Sequence, residues 1–327
     1  MPHRVVSRLA RPGRRVVRFA ALVLLASIAA FALQSLLAGD AATFTAAESG
    51  DPSAEVAVRA ELGLDAPAPV RFMRWAGAAA RGDFGRSSAT GEPVADMIKR
   101  AVRVTLELAI VAQIVAVTVG FAFALMSVVR IGGRLDALIR ALSFALLATP
   151  GFAVAALLLA IFAVRLQWLP AVGFVPITEN FGDNLRSMVL PSLTLGVPIG
   201  ALIARVLRVD LVASLSSDHV TLCRAMGYSR WRIIVGHALR ISSINVSSFI
   251  GLEFARLLGG TLIIEQVFAL PGLGRLAVQS VGRRDQPVVQ ALVIIAAIGF
   301  LAVAQVVDAL HRRLDPRLHR IGENAPS

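Results

Sequence analysis

The chain has 327 residues, 56% of them apolar, and a mean hydropathy of +0.72. Soluble domains hold about 45–50% apolar residues, so a water-soluble globule is excluded and the chain reads as an integral membrane protein. Its 33 Lys and Arg against 21 Asp and Glu give a formal charge of +12. These arginines are scattered over several loops and not gathered with aromatics on one face, which argues against nucleic-acid binding and for contact with anionic lipid headgroups.

A membrane-crossing helix needs about 20 apolar residues, because lipid offers the backbone no hydrogen-bond partner. Six runs qualify, at 17–38, 104–128, 138–164, 188–207, 246–268 and 288–310. They are continuously apolar, not alternating, which excludes a β-barrel. The expected fold is all-α with six transmembrane helices.

In chain order, residues 1–16 form a basic N-terminus with Arg4, Arg8, Arg11, Arg14 and Arg15, and 17–38 form the first transmembrane anchor. A secretory signal peptide would also begin this way. The apolar run exceeds the usual ~7–15 residues, and Gly39-Asp40-Ala41 is a poor cleavage site, so an uncleaved anchor is the better reading.

Residues 39–103 are the one sizeable segment outside the spans, expected to be extracytoplasmic and to fold as a small cap. Acids lead it and bases (Lys99, Arg100, Arg103) trail. Leu62-Gly63-Leu64-Asp65 and Arg81-Gly82-Asp83-Phe84-Gly85 are turn-like, and 94–102 reads as a short amphipathic helix entering the second span.

Residues 104–310 form a five-helix core. In its 188–207 span, Gly196 and Gly200 make a small-xxx-small face for close helix packing, while Pro191 and Pro198 should bend the helix. The core is interrupted by a loop at 211–245, and residues 311–327 are a basic tail.

Short basic loops stay in the cytoplasm. The N-terminus, the Arg130–Arg134 loop, the 211–245 loop (Arg224, Arg230, Arg232, Arg240) and the tail (Arg312, Arg313, Arg317, Arg320) therefore lie inside. Arg275, Arg283 and Arg284 would face outward, against that trend.

Within 214–245 the pattern is helical but too polar for lipid. Ser217 or Asp218 can cap a helix through His219, Leu222 and Met226. Gly227 supplies a left-handed stop, and Ser229 can cap a second helix from Trp231 to Arg240. Leu222, Met226, Tyr228 and Trp231 on so polar a loop suggest a docking surface. The lone Cys223 can form no internal disulfide or thiolate cluster. The histidines (His3, His219, His237, His311, His319) stand singly and read as solvated.

Several motifs together resemble the membrane-spanning subunits of ATP-binding cassette importers, in the dipeptide, oligopeptide and nickel permease family. They include Thr105-Leu106-Glu107-Leu108, Trp168-Leu169-Pro170, the run LPSLTL at 190–195, Arg224-Ala225-Met226-Gly227, EQVFALPGLGR at 265–275, RDQPVVQ at 284–290, and Leu314-Asp315-Pro316-Arg317. The resemblance implies the type I importer permease fold. It makes 211–245 an ATPase-coupling loop centred on Thr221, Leu222, Cys223, Arg224, Ala225, Met226 and Gly227. The family's Glu-Ala-Ala positions fall here on Thr221, Leu222 and Cys223, and its closing proline on Asn245, so none of these is kept.

It also implies partners: a homologous second permease subunit, two ATP-binding subunits carrying ATP and Mg, an extracytoplasmic substrate-binding protein, and peptide cargo crossing the bacterial cytoplasmic membrane. The chain itself binds no cofactor by this reading. Nickel complexes, glutathione and haem are alternative cargoes.

An absence agrees. A phosphate-binding loop needs Gly-Lys followed by Ser or Thr, and the only lysine, Lys99, lies between Ile98 and Arg100. No convergent nucleophile, base or metal set suggests an enzyme. A gradient-driven carrier or channel stays open as an alternative.

Charged residues inside spans carry function by default. Glu253 and Arg256, three apart on one helical face, can pair, and Arg256 falls about 15 Å beyond Val246, near mid-membrane. They either line a translocation pathway or lock two helices together. Glu265 is either a gate contact on that pathway or an interfacial group. Glu107 and Asp308 are expected to be interfacial or hydrogen-bonded to neighbouring helices.

Overall fold

The computed structural model describes residues 20–29, 31–32, 59 and 66–314. Its elements, in chain order, are α1 (Ala20–Ala29), α2 (Ala68–Ala79), α3 (Val94–Val129), α4 (Arg134–Ala148) and α5 (Gly151–Leu158, continued by a π-helical stretch, Leu159–Arg165). They continue with α6 (Phe181–Leu215), α7 (Asp218–Ala225), α8 (Arg230–Ile233, then a π-helical turn, Ile234–Ala238), α9 (Leu239–Gly260), α10 (Leu262–Val267), α11 (Leu273–Gly282) and α12 (Gln286–Leu314). Among the described residues the only strand-like pairing is an isolated bridge between Arg86 and Pro93.

By length and composition, α3, α6 and the Gln286–Val303 part of α12 can each cross a membrane, and up to five spans result if each of two bent helix pairs counts as one. Of the expected first span, only residues 20–29 and 31–32 are among those described.

The expected 138–164 span is instead broken: α4 and α5 meet at 107°. Pro150 is the cause. Its ring pushes the preceding residue out of the helical region, and Thr149 is extended at φ −87°, ψ 125°. The 246–268 span also divides, with α9 ending at Gly260 and α10 following Thr261. α6 by contrast runs uninterrupted through Pro191 and Pro198.

The chain forms two compact units. One is drawn from Met1–Arg103 and Pro271–Ala302, the other from Val104–Leu270 and Val303–Ser327. In the first, Val94 and Ile98 of α3 pack with Val288, Ala291 and Leu292 of α12, flanked by Leu273, Leu276 and Ala277 of α11. The 81–85 segment turns as expected: Gly82 and Gly85 have φ of +84° and +79°, and Asp83 accepts from the Gly85 amide at 2.9 Å.

In the second unit, α3 and α6 approach closely along their glycines. A methyl group added at Gly196 would lie 2.5 Å from the backbone oxygen of Ala112, and one at Gly200 would lie 2.9 Å from that of Ala116. The small-xxx-small face is therefore a real helix contact. Around it Ala116, Ala124 and Val128 of α3 join Ile203, Leu207 and Leu211 of α6 in one core. Exposed apolar side chains such as Ile110, Ile114, Phe144, Phe152 and Leu157 give the spans a lipid-compatible exterior.

Candidate functional site

The polar helix–turn–helix after α6 is fixed at its turn. Ser217 precedes α7, but its hydroxyl donates to the Ser214 carbonyl (2.7 Å) and does not cap the helix by its side chain. Gly227 stops the helix at φ +81°, in the left-handed region that glycine occupies without a Cβ clash. Ser229 then accepts from the Arg232 amide at 3.4 Å and opens α8.

The loop has two faces. Val220 and Cys223 of α7, with Ile233, Ile234 and Ala238 of α8, are buried in the same core as α3 and α6. Thr221, Leu222, Arg224, Ala225, Met226 and Gly227 are exposed. Leu222, Met226 and Trp231 are each more than half exposed, at 58%, 54% and 58%, while Tyr228 is half-buried. Arg224 donates to the Leu215 carbonyl (3.2 Å) and Arg230 to that of Val128 (3.4 Å), so two loop arginines tie it to α6 and α3. The helical run from α8 to α9 bends by 56° between Arg230–Ser243 and Val246–Gly260, where the polar loop becomes apolar span. The second loop helix thus does not end at Arg240 but continues across that bend through α9.

A further expectation about this loop is corrected. His219, Cys223 and His237 do not stand singly: one ligand atom from each lies within 4.8 Å of the others. The His219–Cys223 spacing of four was the available signal. The approach of His237 depends on the turn and was not.

Among the charged residues in the core, Arg256 Nη1 pairs with Glu253 Oε1 at 2.7 Å. Glu253 is buried, whereas the Arg256 side chain is 62% exposed. Glu265 was expected to be interfacial or a gate contact. It is fully enclosed, and accepts from the Thr105 hydroxyl at 2.8 Å. Glu107 accepts from Asn184 Nδ2 at 2.5 Å, a bond from α3 to α6. The side chain of Asp308 lies outside those described.

A further ion pair was not foreseen. Asp136, 1% exposed at the start of α4, receives Arg208 of α6 in a two-pronged contact, Nε and Nη2 each at 2.8 Å. Ser127 and the Gly132 amide (3.0 Å) also donate to it, and Arg140 Nε lies 3.7 Å away. Such paired geometry is the strongest form of side-chain hydrogen bond.

The first unit holds the RDQ part of the 284–290 motif. Asp285 is buried and accepts from the Ser87 hydroxyl and from the Ser88 amide and hydroxyl, both at 3.2 Å. Gln286 accepts from Arg71 at 3.0 Å. These residues pin segment 71–88 to the start of α12.

Apolar helices long enough to cross a membrane, with a polar helix–turn–helix packed on the core of the second unit, define the class, a membrane-embedded protein of the type I ABC importer permease fold. Two crystal forms of the inward-facing MetNI methionine ABC transporter share that fold, with TM-scores of 0.54 and 0.50 at 18% and 19% identity. They cover 67% and 65% of this chain and 96% and 95% of theirs. The sequence profile described as "Binding-protein-dependent transport system inner membrane component" matches residues 116–320, and the chain belongs to that family. The glutathione transport system permease protein GsiC of Escherichia coli (strain K12) is 35% identical over 305 residues, 93% of this chain and 97% of that protein. A protein named a probable peptide ABC transporter permease, y4tP of Sinorhizobium fredii, is 32% identical over the same proportions.

Proposed function

We propose that the chain is the transmembrane permease subunit of an ATP-driven importer that moves short peptides across the bacterial cytoplasmic membrane by alternating access. The observation that carries this reading is the two-faced loop: Leu222, Met226 and Trp231 are exposed while Val220, Cys223, Ile233 and Ile234 share a core with α3 and α6. A push on the exposed face is therefore passed directly to the spans. Relatives named for peptide and for glutathione, itself a tripeptide, support short peptides as the cargo class.

In this reading two ATP-binding subunits, which hold ATP and Mg, dock on the loops of this chain and of a homologous second permease. Their closure draws the loops together and turns the pathway outward, where an extracytoplasmic binding protein delivers cargo. The chain is a transport subunit and not an enzyme. Both termini and the 211–245 loop lie in the cytoplasm, in keeping with their arginines.

Glu253 and Arg256 line the pathway, where opposite charges meet a peptide's termini. The exposure of Arg256 supports this. Glu265 enters as a gate, since its Thr105 bond has to open before cargo reaches it.

The test is gentle purification from the native membrane, beside a Gly227→Asp variant that strains the left-handed turn. Recovery of ATPase subunits and a second permease with the parent chain, weakened by the substitution, is the expected result. A chain recovered alone, or with partners indifferent to the loop, would overturn ATP coupling.

A further inference from the structure

His219 and Cys223 are one turn apart on α7 and so share a face of it. His237 comes from the π-helical turn Ile234–Ala238, beyond the Gly227 turn. Cys223 Sγ lies 4.0 Å from His219 Nε2, and the two imidazole rings are 5.4 Å apart between centres. Such π-helical widenings occur frequently at functional sites.

Two imidazoles and a thiolate are the donor set of borderline-soft transition metals, and they select against Mg and Ca. Zinc takes nitrogen at about 2.0–2.1 Å and sulfur at about 2.3 Å, which puts the ligand atoms of a tetrahedral site roughly 3.3–3.7 Å apart. The present separations, up to 4.8 Å, are therefore wider by about 1 Å. A gap of that size is closed by side-chain rotation, and the His219 ring, which is exposed, has room to turn.

The remaining members are already held. Cys223 is 1% exposed. The His237 ring stacks on Tyr228 at 5.8 Å and 16°. Of the nearby cations, Arg232 lies over the Tyr228 ring at 4.7 Å and Arg224 is engaged with the Leu215 carbonyl, so both are tied to other groups.

We infer that His219, Cys223 and His237 form a binding site for a zinc-type transition-metal ion that staples α7 to α8 across the Gly227 turn. The ion holds the angle at which Leu222 and Met226 are presented. That consequence for docking rests on the proposed coupling role; the metal site does not.

The experiment uses the full chain, purified without a histidine tag, stripped with chelator and titrated with Co²⁺, then displaced with Zn²⁺. The chain has a single cysteine, so any thiolate-to-cobalt charge-transfer absorption comes from Cys223. The expected result is saturable absorption at one ion per chain, bleached by zinc and absent in Cys223→Ser. His219→Gln, a change at an exposed position, should weaken zinc binding by at least about 100-fold, because even partners of metal ligands contribute about 10–100-fold. No charge-transfer band in the parent chain would overturn the proposal. So would zinc affinity unchanged from the parent chain in both His219→Gln and His237→Gln, which would make the thiolate a lone adventitious ligand.

Discussion

Replacing Gly196 by alanine adds one methyl group where, among the described glycines, a Cβ would meet its closest neighbour. That carbon would sit 2.5 Å from the Ala112 carbonyl oxygen and 2.8 Å from Cβ and Cγ1 of Val115, where ordinary contact begins at 3.4 Å. Backbone cannot rotate away, so α3 and α6 must part by about 0.9 Å. A gap of about 0.5–1 Å forfeits a quarter to a half of each dispersion contact. The loss spreads along the seam, because Gly200 and Gly120 make similarly close approaches one and two turns away. Overpacking of this kind costs about 1–3 kcal/mol, offset by up to ~1 kcal/mol of helix propensity gained on leaving glycine. The net loss should be about 1–2 kcal/mol.

The same substitution at Gly259 is the control. No heavy atom lies within 4 Å of a methyl group there, so the propensity gain stands alone. Cys223 is the only cysteine and is buried, so a thiol-reactive fluorophore reports unfolding of detergent-solubilised chain during a thermal ramp at fixed rate. At about 2–4 °C per kcal/mol, Gly196→Ala should melt about 2–8 °C below the parent and Gly259→Ala at or above it. Equal melting of the two variants would refute the packing argument.

Four further outcomes are expected. Asp136→Ala should destabilise by about 3–5 kcal/mol in the same assay, because it leaves the Arg208 guanidinium without its ion-pair partner, and Asp136→Leu with Arg208→Met should recover part of the loss. Thr105→Val should cost about 1–3 kcal/mol by removing a donor to the enclosed Glu265 carboxylate; an unchanged melting point would count against that bond. Asp285→Ala should speed hydrogen exchange of the Ser88 amide, which it accepts, and unaltered exchange would contradict the contact. Glu253→Gln and Arg256→Gln should each lower transport in reconstituted importer roughly tenfold, equivalent to one misplaced charge contact at the limiting step, while unchanged kinetics in assembled protein would remove the pair from the pathway.

Features set by local chemistry were legible in the sequence. Gly196 and Gly200 could be read as a contact face because four-residue spacing stacks them on one side of a helix. Gly227 and Ser229 announced a turn because their conformational and capping preferences act within a few residues. The 107° break at Thr149 was equally local, and its signal was present in Pro150; the length of the apolar run outweighed it. What could not be read are pairings made by tertiary approach. Arg208 lies 72 residues from Asp136, and no period relates them. His237 reaches Cys223 only because the turn folds α8 back beside α7. Glu265 looked interfacial by its position near a span end, and became enclosed through Thr105, 160 residues earlier.

The bond between Ser87 and Asp285 joins residues 198 apart, and this fixes a timetable for biosynthesis. At about 5–20 residues per second, the ribosome needs roughly 10–40 s to travel from one to the other. Throughout that interval the segment around Ser87 and Ser88 is finished but lacks its acceptor, and Val94 and Ile98 lack the α12 residues that later cover them. A nascent or truncated chain that stops before α12 thus displays an incomplete apolar cluster, and exposed apolar surface of that kind makes a partly made chain prone to aggregation.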